Sequence, residues 1–193
     1  MEIILASASP RRKELLELIN VKFKIQASNI DEILDDRLNL EDKIEDLSYQ
    51  KASSIADTVS GDFLVIGADT VVEIDGEILG KPKDKADAKR MLQLLSGKDH
   101  QVITAICLIP TNDKNNSVKT HEKTKVKFIQ LTEEQIDKYI ESGEPMDKAG
   151  AYAIQGLGVM FVKSISGCYT NVVGLPIPLL TGILENKYNF KLI

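Results

Sequence analysis

The sequence is short of several things at once. Its 193 residues include two cysteines, two histidines, six prolines and no tryptophan. Cys107 and Cys168 show no CxxC spacing and have only His100 and His121 beside them, which argues against a Cys/His zinc site. Both cysteines lie in apolar sequence and are expected in the core of a protein from a reducing cytoplasm. No stretch approaches the roughly 20 apolar residues of a membrane span. The opening Met1-Glu2-Ile3-Ile4-Leu5 carries an acid where a signal peptide needs basic residues, so no membrane partner is expected. Positive charge is also scarce overall. The chain has 24 Lys+Arg against 29 Asp+Glu, a net charge of -5, with an isoelectric point near 5.2. That balance lacks the basic footprint of a general nucleic-acid binder, although an average says nothing about a local basic pocket.

What is present is ordinary for a globule: 43% hydrophobic and 27% charged residues. A compact chain of this size buries roughly 70% of its unfolded surface, so its core needs no disulfide staple. Internal repeats and low-complexity tracts are absent. The most loop-like stretch, Thr111 to Ser117, lies between two strand-like runs and reads as a hairpin tip rather than a linker. The sequence gives no boundary by which to divide residues 1–193.

Strands and helices alternate. Strands are expected over Ile3–Ala6, Phe23–Ala27 and Phe63–Ala68, the last a continuous apolar run typical of burial on both faces. Val71–Ile74 and Glu77–Leu79 should pair across Asp75-Gly76, a type I′ hairpin signal. Val102–Ile109 and Val118–Leu131 should form a longer hairpin, and Val159–Ile165 a last strand. Helices are expected from Pro10 to about Ile19 with Ser9 as N-cap, over Leu40–Val59, over Asp84–Leu95 ended by Gly97, over Glu133–Ser142 and over Pro178–Tyr188. Because both helices and hairpins connect strands, this is a mixed α/β protein with a mixed sheet.

Local rules fail where function is to be sought. In Ser7-Ala8-Ser9-Pro10-Arg11-Arg12-Lys13, three cations occupy the first turn of a helix, the end already positive from the macrodipole. A phosphate would compensate, held by backbone N–H groups, serine hydroxyls and an arginine fork. A solvated basic turn paired with Glu14 and Glu17 explains the same residues. Lys51 falls within the apolar stripe Ile44, Leu47, Ile55, Val59, and either snorkels past the core edge or points into a cleft at an anion. Asp69 is embedded in apolar strand sequence, which is costly without a partner cation or metal. It is a candidate metal ligand or general base, or else a structural acid held by backbone N–H groups. Asp31-Glu32 could add a metal ligand, or simply be solvated. Gln155, in a stretch rich in Gly and Ala, offers a donor and an acceptor to a base edge, or is a plain turn residue.

Two tempting motifs fail. Gly76 to Lys81 has three residues between its glycines and is followed by Pro82, unlike a Walker phosphate loop, so Lys81 reads as the end of a hairpin strand. Gly156-Leu157-Gly158 continues to Phe161 where a dinucleotide loop wants glycine. The remaining set is Arg11, Arg12, Lys51, Lys81 and the embedded Asp69 in an otherwise acidic chain. It suits a polyanion with a divalent metal.

With these residues in view, the sequence resembles the Maf family of nucleoside triphosphate pyrophosphatases, named for its link to septum formation. The resemblance is carried by Leu5-Ala6-Ser7-Ala8-Ser9-Pro10-Arg11-Arg12, Lys51-Ala52, Gly67-Ala68-Asp69-Thr70-Val71-Val72 and Gly80-Lys81-Pro82. It continues through Met91-Leu92, Leu95-Ser96-Gly97, His100-Gln101-Val102, Asp147-Lys148-Ala149-Gly150-Ala151-Tyr152, Ile154-Gln155-Gly156 and Asn171-Val172-Val173-Gly174-Leu175-Pro176. It implies an elongated, Maf-like and ITPase-like α/β fold: a mixed twisted β-sheet with flanking helices, forming two lobes around a central cleft within one domain. It implies hydrolysis of a nucleoside triphosphate to monophosphate and pyrophosphate with a divalent metal, Mg or Mn. By the resemblance Asp69 would be the proton acceptor; the residues themselves leave it either that base or a metal ligand, with Glu32 as a candidate second ligand. Ser7, Arg11, Lys51 and Lys81 match positions associated with the triphosphate. Arg12, Thr70 and Gln155 match those that sort the subfamilies and resemble the dTTP/UTP branch. The branch acting on 7-methyl-GTP carries Gln and Glu at the positions of Thr70 and Gln155. A homodimer is expected from the family alone. The alternatives are a pyrophosphatase for another base and a nucleotide-binding septum regulator without catalysis.

Overall fold

The computed structural model describes Met1–Leu192. Its strands are β1 (Glu2–Leu5), β2 (Phe23–Ile25), β3 (Phe63–Ile74), β4 (Glu77–Leu79), β5 (Asp99–Pro110), β6 (Val118–Phe128) and β7 (Val162–Ser166). Its α-helices are α1 (Pro10–Leu18), α2 (Leu40–Ala56), α3 (Lys85–Leu95), α4 (Glu133–Glu141), α5 (Tyr169–Val173) and α6 (Ile177–Asn186). One seven-stranded sheet runs in the order β2-β1-β3-β5-β6-β7, with β4 paired to β3. The sheet is mixed, as expected. β1 is parallel to β2 and β3, with Ile4 opposite Lys24 and Val65, whereas β4 and β7 pair antiparallel to β3 and β6. Asp75 and Gly76 both have positive φ, as a type I′ hairpin requires.

The chain divides into two compact units. The first comprises Met1–Asp69, Thr104–Glu122 and the segment from Gly174 onward; the second comprises Thr70–Ile103 and Lys123–Val173. In the first unit, Ile3, Ile4 and Leu5 and the run Leu64–Ala68 are all buried, so β1 and β3 are covered on both faces. One of those faces packs Ile4, Ala6, Val65, Cys107 and Ile109 against Ala52, Ile55 and Ala56 of α2. The second unit packs Val72, Ile74 and Leu79 against Met91, Leu92 and Leu95 of α3 and Ile136, Tyr139 and Ile140 of α4. Its aromatic rings meet edge to face: Phe128 with Tyr152 at 4.7 Å, and Tyr139 with Phe161 at 4.9 Å between centroids.

Several elements depart from the sequence reading. Asp69 does not interrupt β3, which runs unbroken to Ile74. Ser9 occupies the N-cap of α1, but its side chain makes no capping bond. The expected strand from Val159 begins only at Val162, because Leu157–Phe161 is a 3₁₀ turn. Cys107 is buried as expected and burial pushes its thiol up to about 12, but Cys168 is half-exposed beside Thr170. Lys81 lies past the end of β4 and is exposed. Among the described residues, no helix is long and apolar enough to cross a membrane.

Candidate active site

The site in the first unit follows from two periodicities. In β3, Val65, Gly67 and Asp69 share one face. Gly67 marks where α2 crosses that face, for a Cβ there would stand 2.2 Å from the Ser48 carbonyl oxygen and 2.8 Å from the Ala52 nitrogen. Only glycine admits the helix so close to the strand. Lys51 lies on α2 between those two contact residues, and Asp69 lies two residues beyond Gly67. The ammonium therefore reaches the carboxylate: Lys51 Nζ donates to Asp69 Oδ1 at 2.5 Å. The two side chains are only 16% and 14% exposed, so they meet largely out of water.

The same ammonium also reaches Glu32, at 2.8 Å from Oε1. Glu32 belongs to a loop, but its position is fixed from α2. Gln50 accepts from the backbone N–H of Ile33 at 3.0 Å and donates to its carbonyl at 2.7 Å. The residue next to Lys51 thus holds the residue next to Glu32. Nothing in the sequence pointed to Gln50, an amide on a helix, except its place beside Lys51.

The Arg12 guanidinium ties three segments together. It donates to the carbonyls of Gly174 at 2.8 Å and Ala68 at 2.9 Å, and to Ser7 Oγ at 3.2 Å. Ser7 Oγ also accepts from the Ser9 N–H, closing the turn into α1. Burial lowers the pKa of Arg12, and the neighbouring charge of Arg11 lowers it further. The negative charges of Asp69 and Glu32 act against both. Arginine stays charged under these shifts. Arg11, Arg12, Asp69 and Glu32 thus lie in one electrostatic field. The first turn of α1 contains no acid and no side-chain cap, which leaves its backbone N–H groups free of a local carboxylate. Lys13 follows the solvated-turn reading, 3.6 Å from Glu17.

Ser7, Arg12, Lys51, Asp69 and Glu32 are therefore brought together, with Arg11 alongside. Asp69 has the partner cation its burial demands, and the partner is Lys51 rather than an anion-seeking cleft lysine standing alone. Asp31 is exposed in the loop before Glu32. Thr70 follows Asp69 in the strand but belongs to the second unit, as do Lys81 and Gln155, both exposed. Within that unit, the Gly150 N–H donates to the Gly80 carbonyl at 3.0 Å, fastening the turn before Lys81 to the segment that leads to Gln155.

Among the described residues, no group of three or more His, Cys, Asp or Glu gathers as a ligand set. The two acids converging on one ammonium nonetheless suit Mg²⁺, which is commonly held by one or two carboxylates together with substrate phosphates and waters. The donors are all hard oxygens, as Mg²⁺ or Mn²⁺ prefers.

Comparison with known proteins places the whole chain in a family. Residues 2–187 match the family described as Maf-like protein. A dTTP/UTP pyrophosphatase of Ruminiclostridium cellulolyticum is 54% identical over 99% of this chain and 98% of that protein. One from Alkaliphilus oremlandii is 48% identical over 100% of this chain and 99% of that protein. Among solved structures, the Staphylococcus aureus Ham1 protein superposes with a TM-score of 0.54 at 14% identity, covering 97% of this chain and 100% of that one, a likeness of fold only. Full-length identity at this level, together with the family match, means that the chain belongs to the Maf family.

Proposed function

We propose that this chain is a cytoplasmic, homodimeric dTTP/UTP pyrophosphatase that converts the triphosphate to the monophosphate and pyrophosphate by attack of water on the α-phosphorus. The observation that carries the proposal is the Lys51 ammonium gathering Asp69 and Glu32 beside an uncapped, cation-rich helix start. The two relatives at about half identity bear the name of that activity.

The chemistry can be written on this chain's own groups. Pyrophosphate leaves only if the new P–O bond forms at the α-phosphorus while the bond to the bridging α,β-oxygen breaks. The water proton goes to the Asp69 carboxylate, whose Oδ1 is held by Lys51 and whose Oδ2 we assign as acceptor. Asp69 and Glu32 are the residues that would hold Mg²⁺ or Mn²⁺. Such an ion supplies charge neutralisation and a more acidic water when bound. The N–H groups and Ser7 hydroxyl at the start of α1 bind phosphate oxygens, with Arg11, Lys51 and Lys81 opposing the charge that builds on the leaving pyrophosphate. Arg12 is tethered to Ser7, Ala68 and Gly174 and keeps the strand end and helix start in register. Gln155 offers an amide to the O4/N3 edge that thymine and uracil share, and Thr70 and Arg12 complete the selectivity set.

A panel of nucleoside triphosphates with Mg²⁺ or Mn²⁺, scored for pyrophosphate against orthophosphate, tests this reading. dTTP and UTP should be cleaved fastest, with pyrophosphate as product. Orthophosphate as the main product would remove the α-phosphorus mechanism, and faster cleavage of purine triphosphates would remove the base assignment.

A further inference from the structure

The sequence contains a Gly-Leu-Gly at 156–158 that fits no phosphate loop. In the structure both glycines make room for one carboxylate system. A Cβ at Gly156 would lie 2.3 Å from Glu144 Oε2. A Cβ at Gly158 would lie 2.8 Å from the Tyr139 hydroxyl and 2.8 Å from the Ala153 carbonyl. Into that space Glu144 brings both oxygens. Oε2 accepts from the Leu157 N–H at 2.9 Å. Oε1 accepts from the Gly158 N–H at 3.1 Å and from the Tyr139 hydroxyl at 2.8 Å. The Tyr139 oxygen in turn accepts from the Ala153 N–H at 3.2 Å.

These bonds bracket Gln155. Ala153, two residues before it, is held through Tyr139. Leu157 and Gly158, two and three residues after it, are held by Glu144. Between them the Gly156 N–H closes a turn on the Ala153 carbonyl at 3.2 Å. Gln155 is the exposed residue of a turn fixed at both ends. We propose that Glu144 is a positioning residue for base selection, acting through the Leu157 and Gly158 amides to hold Gln155 in the orientation that reads a pyrimidine. The proposal rests on the assignment of Gln155 as the base reader.

The arrangement suits such a role. Charge-assisted bonds from amides to a carboxylate are stronger than neutral ones, and three donors on one group fix its orientation. Burial pushes the Glu144 carboxyl up, but the bonds from Leu157, Tyr139 and Gly158, with the charge of Lys148, outweigh it and leave the group below the usual carboxylate range. The carboxylate also caps the 3₁₀ turn Leu157–Phe161, which has no local side-chain cap. Glu144→Gln keeps the shape but turns one acceptor oxygen into a donor facing an N–H. Gly156→Ala leaves the acid intact and evicts it from its place.

Steady-state kinetics on dTTP and dGTP test the proposal in both variants. The kcat/KM ratio of dTTP to dGTP should fall about tenfold in each, mainly through KM for dTTP, with dGTP turnover within about twofold of the parent. The double variant Glu144→Gln/Gln155→Ala should be no less selective than Gln155→Ala alone. Equal losses on both nucleotides would mean a merely structural role and would overturn the proposal, as would a further loss of selectivity in the double variant. Hydrogen exchange separates this proposal from the reading beneath it. The Leu157 and Gly158 amides should exchange at least about tenfold faster in Glu144→Gln. Unchanged exchange removes the anchor whatever Gln155 does. An unchanged ratio in Gln155→Ala with accelerated exchange in Glu144→Gln removes the base-reader assignment, and with it the link from Glu144 to selectivity, while the anchor itself stands.

Discussion

Asp69 and Glu144 are both acids that the fold takes partly out of water, and it satisfies them in opposite ways. Asp69, on a strand of the first unit, is met by another side chain, the ammonium of Lys51, which it shares with Glu32. Glu144, at the start of a 3₁₀ turn in the second unit, is met by two backbone N–H groups and a phenol. A side-chain cation can be displaced or shared, so an acid held that way can change partners when a polyanion or metal arrives. Backbone N–H groups cannot leave without unfolding the turn, so an acid held that way fixes architecture. The contrast separates an acid suited to chemistry from one suited to positioning, although both are carboxylates in partly buried places.

The largest expected effect tests the first half of that contrast. Asp69→Asn keeps an oxygen for Lys51 to donate to but removes the carboxylate proposed to accept the water proton. Pyrophosphate release from dTTP should fall by about 10²–10⁴-fold, while the thermal midpoint stays close to the parent. Unchanged activity would remove Asp69 from its role. A large loss of stability would make it an architectural acid like Glu144 and collapse the distinction.

Next in size is a pH effect in the second unit that must be separated from Glu144. His100 is 3% exposed, with Nε2 2.9 Å from the Tyr152 hydroxyl, and burial lowers its pKa to about 4. The native state then resists a proton that the unfolded chain accepts near pH 6.5. The stability contributed by neutral His100 is complete above about pH 6.5 and is lost as pH falls towards 4, for a total of about 3 kcal/mol. Equilibrium unfolding between pH 7 and 4 should show this slope, and His100→Asn should flatten it. A slope that survives the substitution would place the titration elsewhere. Glu144, whose pKa is lowered from the ordinary carboxylate value, adds its loss only at the acid end of that range.

Two glycine substitutions sharpen the comparison further. At Gly67 the atoms a Cβ would strike include the backbone of α2, whereas at Gly156 they are the end of the Glu144 side chain. Gly67→Ala should therefore cost about 1–3 kcal/mol or more in denaturant unfolding, since helix and strand must part. Gly156→Ala should cost less, because a side chain can swing away, and should show itself in selectivity. The reverse order would mean that the Glu144 anchor contributes more to folding than the helix crossing does.

What the sequence revealed divides along the same line. Lys51 and Asp69 stood out because each breaks a local pattern, a cation in an apolar stripe and an acid in an apolar strand, and the fold brings the two exceptions together. The basic start of α1 was visible for the same reason. Glu144 broke no local pattern, because its partners lie in the segment from Ala153 to Gly158 and contribute mostly backbone atoms, which sequence does not distinguish. The 3₁₀ turn read as a strand from Val159 for the same cause: a distant carboxylate caps it. Gln50 likewise acts through the backbone of Ile33. β3 runs through Asp69 without a break because Lys51 provides what a strand interior otherwise denies an acid. The paired glycines at 156 and 158 were the one local clue, and their purpose lies in close packing rather than phosphate binding.

The smallest expected effect is the control for the first. Lys138 and Glu134 form an i,i+4 pair on α4 at 2.6 Å, nearly the same separation as Lys51 and Asp69, but 72% and 75% exposed. Solvent screens such a pair, so Lys138→Ala should change stability by about 0.5 kcal/mol or less, and high salt should erase even that. Lys51→Ala should exceed it and persist in high salt, since it leaves Asp69 without its cation where water hardly reaches. Equal, salt-sensitive effects at the two lysines would mean that separation alone decides the worth of an ion pair here. A persistent difference would show that burial, set by the close approach of α2 over Gly67, is what makes the Lys51 pair a site rather than a surface contact.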